Sequence, residues 1–239
     1  MNVLPAMQSE LKILYEDNHC LAVAKPAPLL TQAPSGVPSL EAYVKDYLRE
    51  KCGKKGRVYL GIPHRLDRPV SGVVLFARQT TSAQRLAEQF AKRRVTKVYW
   101  GAVEGAVQPA EGRWEDWLHK VKAEARTQRV AEGAPGARHA ALKYRALQPC
   151  GGGTLVEFSP GTGRMHQIRV QAALRGWPIR GDVLYGAVLP FGPSPELPRD
   201  RLIALHARSL AFLHPIRYEP MTVVAPLPET WREVGVDLS

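Results

Sequence analysis

Residues 64–72 read HRLDRPVSG, with one acid, Asp67, set among His64, Arg65 and Arg68. A small Ser71-Gly72 pair and the apolar run VVLFA follow. Nearby positive charge favours the ionised form of an acid, and an ionised carboxylate in a loop can serve as nucleophile or base. An ion pair that merely pins the loop is the alternative that local sequence leaves open. A second cluster, GTGRMHQIRVQ at 161–171, uses Gly161 and Gly163 for a tight turn and then crowds Arg164, His166, Gln167 and Arg169 at an expected helix start. Such a start can cradle an anion; a capped, solvated helix end is the plainer reading. In a third stretch, KVYWGAV, alternation places Lys97, Tyr99 and Gly101 on one strand face and Val98, Trp100 and Ala102 on the other. A tyrosine beside glycine can offer its ring to a base, or it can be core.

The balance of charge narrows the partner. The 239 residues carry 33 Lys+Arg against 22 Asp+Glu, a formal net charge of +11, which favours a polyanion because each neutralised phosphate releases counterions. Cys20, Cys52 and Cys150 are far apart, with no CxxC and no close Cys/His cluster. Neither a zinc site nor any other metal site is expected, and free thiols point to a reducing compartment. His64, His166 and His206 do not have the spacing of a ligand set, and each is expected to hydrogen-bond to backbone or to the partner. No leader pattern and no membrane-spanning apolar run is present, so the expectation is a cytoplasmic protein with no membrane partner.

The elements that must position these clusters follow from periodicity. LKILYE (11–16) and HCLAVAKP (19–26) predict two strands joined at Asp17-Asn18. SLEAYVKDYLREK predicts a helix with Ser39 as cap, Leu40, Tyr43, Val44, Tyr47 and Leu48 on one face, and Gly53 at its end. KCGKKGR (51–57) is a basic, glycine-broken loop, and GVVLFAR (72–78) a short buried strand. TTSAQRLAEQFAKRR predicts a second helix with Ala83, Leu86, Ala87, Phe90 and Ala91 inward and a Thr81–Gln84 capping box. Its last turn would carry Lys92, Arg93 and Arg94, where cations suit the helix dipole or meet backbone phosphate. TKVYWGAVEG (96–105), ALKYRALQ (141–148) and TLVEFSPGTG (154–163) predict strands, and 106–140 a long polar excursion with a short hairpin. RMHQIRVQAALRG (164–176) predicts a helix stopping at Gly176, and the final strands come from RLIALHARSLAFLHP and EPMTVVAP. Many strands, few helices and no strict βα alternation predict an α+β fold, a mixed, largely antiparallel sheet with flanking helices. No linker divides the chain, so residues 1–239 are expected to form a single catalytic domain.

HRLDRPVSG, KVYWGAVEG and GTGRMHQIRVQ, in that order, resemble the signature motifs of the RluA-type pseudouridine synthases. The resemblance continues in ILYEDNHCLAVAKPAPLLT upstream and in GWPIRGDVLYG (176–186) and LHARSLAFLHP (205–215) downstream, covering roughly residues 11–228. Val70 stands where the family usually has threonine, Gly101 for a common alanine, Met165 for a common threonine and Gln171 for a common histidine. The resemblance implies the pseudouridine synthase catalytic fold without an N-terminal S4 domain. It implies isomerisation of uridine to pseudouridine in tRNA or rRNA, with no cofactor because no atom is gained or lost. Asp67 would be the catalytic nucleophile on a flipped-out base, Arg164 its countercharge, and Tyr99 the ring that packs on the uracil. Arg65 would help occupy the gap left by the flipped base. Arg68, His64, Lys97, Lys92, Arg93, His166, Gln167 and Arg169 would be RNA contacts. A monomer without an obligate protein partner is expected. Two rivals remain at this point: an RNA-binding protein whose catalysis has lapsed, and a glycosidic-bond hydrolase using Glu104 or Asp182 as a second acid.

Overall fold

A computed structural model describes residues 11–53, 56–121 and 123–238. Lys54 and Lys55 of the basic 51–57 stretch lie outside the described residues. In chain order the strands are β1 (Ile13–Glu16), β2 (Cys20–Lys25), β3 (Ser71–Ala77), β4 (Thr96–Glu104), β5 (Glu111–Val121), β6 (Arg126–Val130), β7 (Arg138–Cys150), β8 (Gly153–Pro160), β9 (Leu205–Leu213) and β10 (Pro220–Val224). The helices are α1 (Leu40–Lys51), α2 (Thr80–Ala91) and α3 (Gln167–Ala173). The predicted α+β class holds: the strand pairs β1–β2, β2–β3, β9–β10, β4–β8, β7–β8, β5–β7 and β5–β6 are antiparallel. The chain gathers into two compact units, Met1–Thr96 with Ala207–Pro226, and Lys97–His206 with Leu227–Ser239.

In the first unit β1, β2 and β3 lie side by side, and β10 pairs with β9. β3 is buried along its whole length, which is why VVLFA shows no polar alternation. Val73, Leu75 and Ala77 pack with Cys20 and Ala22 of β2, Leu86 of α2 and Leu210 and Phe212 of β9. Gly72, at φ +120°, lies where a Cβ would come 2.3 Å from the Ala207 carbonyl oxygen. The glycine of the SG pair therefore lets β9 approach β3, a packing requirement. α1 starts as predicted, with the Ser39 hydroxyl accepting from the Ala42 N–H at 3.3 Å and Leu40, Val44 and Leu48 buried. α2 departs from the expected capping box: Gln79 is its N-cap and no side chain caps it. It also ends earlier, at Ala91, with Lys92 as C-cap and Arg93 in the left-handed region at φ 56°. The Lys92-Arg93-Arg94 cluster thus follows the helix and is exposed.

The second unit is an antiparallel sheet in the order β4-β8-β7-β5-β6. The expected excursion over 106–140 is mostly sheet. β5 runs for 11 residues and hairpins onto the short β6, and β7 begins at Arg138, ahead of the predicted 141. Alternation is present in β5, where Trp114, Asp116 and Leu118 point inward. An acid at the middle inward position hides the pattern. Buried Asp116 accepts from Gln171 Nε2 at 2.7 Å and pairs with Arg175 at 2.8 Å. α3 is only 7 residues long and starts at Gln167, not at 164 as predicted. His166 precedes it in the left-handed conformation at φ 54°.

Candidate active-site loop and its supports

Asp67 sits in the loop that enters β3, and each neighbouring peptide is fixed. On one side, the Thr31 hydroxyl donates to the Leu66 carbonyl at 2.9 Å and accepts from the Leu66 N–H at 3.1 Å. On the other, the Arg68 carbonyl accepts from Leu29 N–H at 3.2 Å and from Lys25 Nζ at 3.2 Å. The Val70 N–H donates to the Asp67 carbonyl at 3.1 Å, closing a turn around the acid. Leu66 and Val70 are buried anchors, 7% and 2% exposed, while Asp67 and Arg68 are half-buried and Arg65 is exposed. The Val70 departure from the family threonine is therefore a core contact. His64 accepts the Leu75 N–H on Nε2 at 2.9 Å and stacks on Phe90 at 4.6 Å between centroids. It is a backbone partner that lays the loop along β3.

Lys25 is the residue that sequence reasoning missed here. It is 1% exposed, and its ammonium donates to the carbonyls of Pro26 (3.1 Å), Leu29 (2.7 Å) and Arg68 (3.2 Å). Burial pushes it down to about 7, and the carboxylate of Asp67 pulls the other way. A cation is thereby held inside the loop that presents the acid. The signal in the sequence was a lysine ending an apolar strand directly before a proline.

In the second unit Tyr99 lies on β4, paired with Phe158 of β8 and half-buried. Arg164 follows β8. Its Nε donates to the His139 carbonyl at 2.9 Å and its backbone N–H to Gln167 Oε1 at 3.1 Å. Gln167 also accepts from the Thr162 hydroxyl at 2.7 Å and donates to the Ala141 carbonyl at 3.0 Å. It is 4% exposed and locks the 161–167 turn onto β7. Lys97 Nζ reaches the Thr162 carbonyl of the same turn at 3.4 Å. The residues of the expected anion cradle are partly buried and engaged within the protein. Gln167 is a buried turn lock, and Arg169, 5% exposed, forms a bidentate pair with Asp182 at 2.6 and 2.7 Å. His166 holds Tyr185 OH through Nδ1 at 2.9 Å, and His206, 1% exposed, faces Trp231 edge-on. The two acids considered for a hydrolase are also engaged, Asp182 by Arg169 and Glu104 by the N–H groups of Val188 and Leu189 at 2.9 and 2.7 Å.

Asp17, Cys20 and His214 meet closely enough to hold a metal ion, but their polar atoms are already taken up. Asp17 Oδ1 accepts from the His19 and Cys20 N–H groups, both at 2.8 Å, and Oδ2 from His214 Nε2 at 2.7 Å and Arg217 at 3.0 Å. His214 Nδ1 accepts two backbone N–H groups, so its proton sits on Nε2, facing the acid. Burial alone would raise the Asp17 carboxyl; the Cys20 and His19 N–H groups, His214 and Tyr15 outweigh it and hold it well below the usual range. The Cys20 thiol is pushed up to about 12 by burial and by Asp17. The trio is a clasp between two hairpin turns. Asp17→Asn is expected to lose about 1.5–3 kcal/mol at neutral pH, the scale of a hydrogen bond to a charged group. A depressed carboxyl stabilises above its ordinary value of 3.8 and loses that contribution as pH falls through the lower folded value. The gap in unfolding free energy between wild type and variant should therefore narrow below pH ~4; a gap unchanged in acid would assign the loss to packing.

Comparison with known proteins agrees with the geometry. Residues 19–174 match the RNA pseudouridylate synthase family. The chain is 33% identical over 244 residues to tRNA pseudouridine synthase C of Haemophilus influenzae, covering 94% of this chain and 96% of that one. It is 35% identical over 225 residues to ribosomal large subunit pseudouridine synthase D of Xanthomonas campestris, covering 92% of this chain and 66% of that one. The fold matches the solved structure of human RNA pseudouridylate synthase domain containing 4 with a TM-score of 0.77 at 23% identity, over 95% of this chain and 94% of that one. The motif order, the loop that fixes Asp67 and these relatives together place the chain in the RNA pseudouridylate synthase family, among its RluA-type enzymes.

Proposed function

We propose that the protein isomerises particular uridines of a structured tRNA or rRNA to pseudouridine, with Asp67 as nucleophile and the whole chain acting as a single catalytic domain. The observation that carries the reading is the loop that fixes the peptides on both sides of Asp67 and leaves the acid at a turn. A stacked uridine must be flipped out at a cost of about a few kcal/mol. Asp67 then attacks the anomeric carbon as the bond to ring nitrogen 1 breaks, and the electron pair leaves with the uracil. The detached base turns, carbon 5 bonds to the sugar and displaces the carboxylate, the carbon 5 proton is lost and nitrogen 1 gains one. In the competing scheme the acid assists elimination to a glycal. Either route needs the ionised acid, and neither needs a cofactor.

Tyr99 packs on the detached uracil, and its hydroxyl assists proton removal from carbon 5. Tyr99→Phe is expected to keep RNA binding and lose most product formation, about 10²–10⁴-fold, the range of general acid–base catalysis; equal activity would reduce Tyr99 to packing. Arg164 supplies countercharge to the acid. Arg164→Met should lower turnover by about 10²–10³-fold, the scale of one lost electrostatic stabiliser, with the protein still folded. Normal turnover would remove that role. Arg65 enters the gap left by the flipped base, and Arg68, Lys97, Lys92 and Arg93 bind backbone phosphates. The protein acts as a monomer, and its three free thiols suit the cytoplasm.

The test is tritium release from carbon 5 of uridine-labelled RNA, with bulk tRNA and rRNA offered separately. Release from one pool, with pseudouridine retained in the chain, names the substrate class. Free uracil as product would make the protein a hydrolase, and binding without release from either pool would make it an RNA-binding protein.

A further inference from the structure

Cys52, the C-cap of α1, and the exposed Tyr59 have no part in the reaction above. They border a pocket of about 390 Å³ in the first unit. His19, Asn18, Gln79 and Arg78 line it together with Cys52 and Tyr59. That volume is in the range of small-ligand sites. Its polar groups converge. His19 Nδ1 is buried and has no hydrogen-bond partner, an arrangement that a native protein rarely leaves without a ligand or water to meet it. Gln79 is held by donating its amide to the Asn18 carbonyl at 3.1 Å. Arg78 is anchored on Glu16 at 3.0 Å and turns its other amino group toward Cys52 Sγ at 3.9 Å. Tyr59 is 47% exposed, a ring with an open face. Arg57, exposed, directly precedes the lining residues Val58 and Tyr59 and adds positive charge beside them.

We infer that this pocket binds an unpaired nucleotide of the RNA substrate, at a subsite separate from the uridine that reacts. The inference rests on the RNA-isomerase reading. Base stacking on an aromatic beside a basic groove is how single strands are held without base pairing. Here Tyr59 is the platform, the His19, Asn18 and Gln79 groups meet the base edge, and Arg57 takes the phosphate. The segment that carries Tyr59 continues to Asp67. Gly61 exchanges two backbone hydrogen bonds with Ala77, and His64 meets Leu75, so the segment runs back along β3. Tyr59 thus lies by the end of β3 and Asp67 by its start. Seven residues of strand separate the two by about 20 Å. The subsite would read an RNA feature flanking the target and so select substrate.

Cys52 is the exposed thiol of the three and Cys20 and Cys150 are buried, so its alkylation by iodoacetamide reports the pocket directly. In the full-length protein, a short single-stranded RNA should slow Cys52 alkylation about tenfold and a blunt RNA duplex should not. Tyr59→Ala should abolish that protection and raise KM for tritium release about tenfold, with kcat little changed. Tyr59→Phe, which keeps the ring, should restore both. Equal protection by duplex would overturn base insertion. Unprotected Cys52 with normal tritium release would overturn the subsite and leave the isomerase reading standing. Loss of all RNA binding and release would overturn both.

Discussion

Asp67→Ala is expected to abolish tritium release from carbon 5 while the protein melts within a few degrees of wild type. The fall should be at least about 10⁴-fold, the scale on which loss of a covalent nucleophile acts in other enzymes. The prediction separates chemistry from folding because of how the loop is built. Its fixation runs through the backbone of Leu66 and Arg68, the Thr31 hydroxyl and the Lys25 ammonium. Leu66 and Val70 are the buried side chains of the turn, and truncating Asp67 leaves them in place. Both the substitution and the glycal routes need the carboxylate, so the result does not depend on which operates. RNA affinity should persist, since phosphate contacts dominate it. Turnover above about a hundredth of wild type would move the nucleophile elsewhere, and the decline of Tyr99→Phe and Arg164→Met would then have to be read afresh.

The sequence was most legible where a residue type has one usual use. Ser39 ahead of an apolar-periodic run is a helix start, and α1 begins there. The unbroken VVLFA run is a buried strand, and β3 is one. The sequence was least legible where a polar side chain is buried against a partner outside the local pattern. Arg169 and Gln167 look like a helix start facing an anion, and the structure buries them against Asp182 and against Ala141 of β7. Asp116 disguised β5 for the same reason, because its partners Gln171 and Arg175 lie more than 50 residues on. In each case a local rule about polar residues was overridden by a specific pair that periodicity does not encode. The clusters that carry the family resemblance survived that failure, because they are matched by residue type and order and not by exposure.

Lys25→Met is the prediction that tests whether the loop itself is part of the catalytic apparatus. Methionine matches the length of lysine but brings no N–H, so the carbonyl oxygens of Pro26, Leu29 and Arg68 lose the lysine at once, and Arg68 keeps only the Leu29 N–H. Leaving a buried acceptor unmet costs about 1–3 kcal/mol, and a loss of that size is expected in urea unfolding. The pH dependence carries the sign of a depressed lysine. The folded group titrates near about 7 and the unfolded one near its ordinary 10.5. Between those values the unfolded chain holds a proton that the folded chain has released, so stability contributed through Lys25 rises with pH across that window and is flat below it. Wild type should therefore gain on the methionine variant from about pH 7 to about pH 10. A constant gap would mean that Lys25 keeps its proton throughout. As a positioning residue, Lys25 should also act on kcat more than on KM, by at least about tenfold, because the peptide on the far side of Asp67 loses one of its two anchors while the phosphate contacts remain. If the variant, at a temperature where it is fully folded, turns over at the wild-type rate, the buried cation is a folding device alone. A selective fall in kcat would instead tie a lysine that never meets the RNA to the aim of the acid that does.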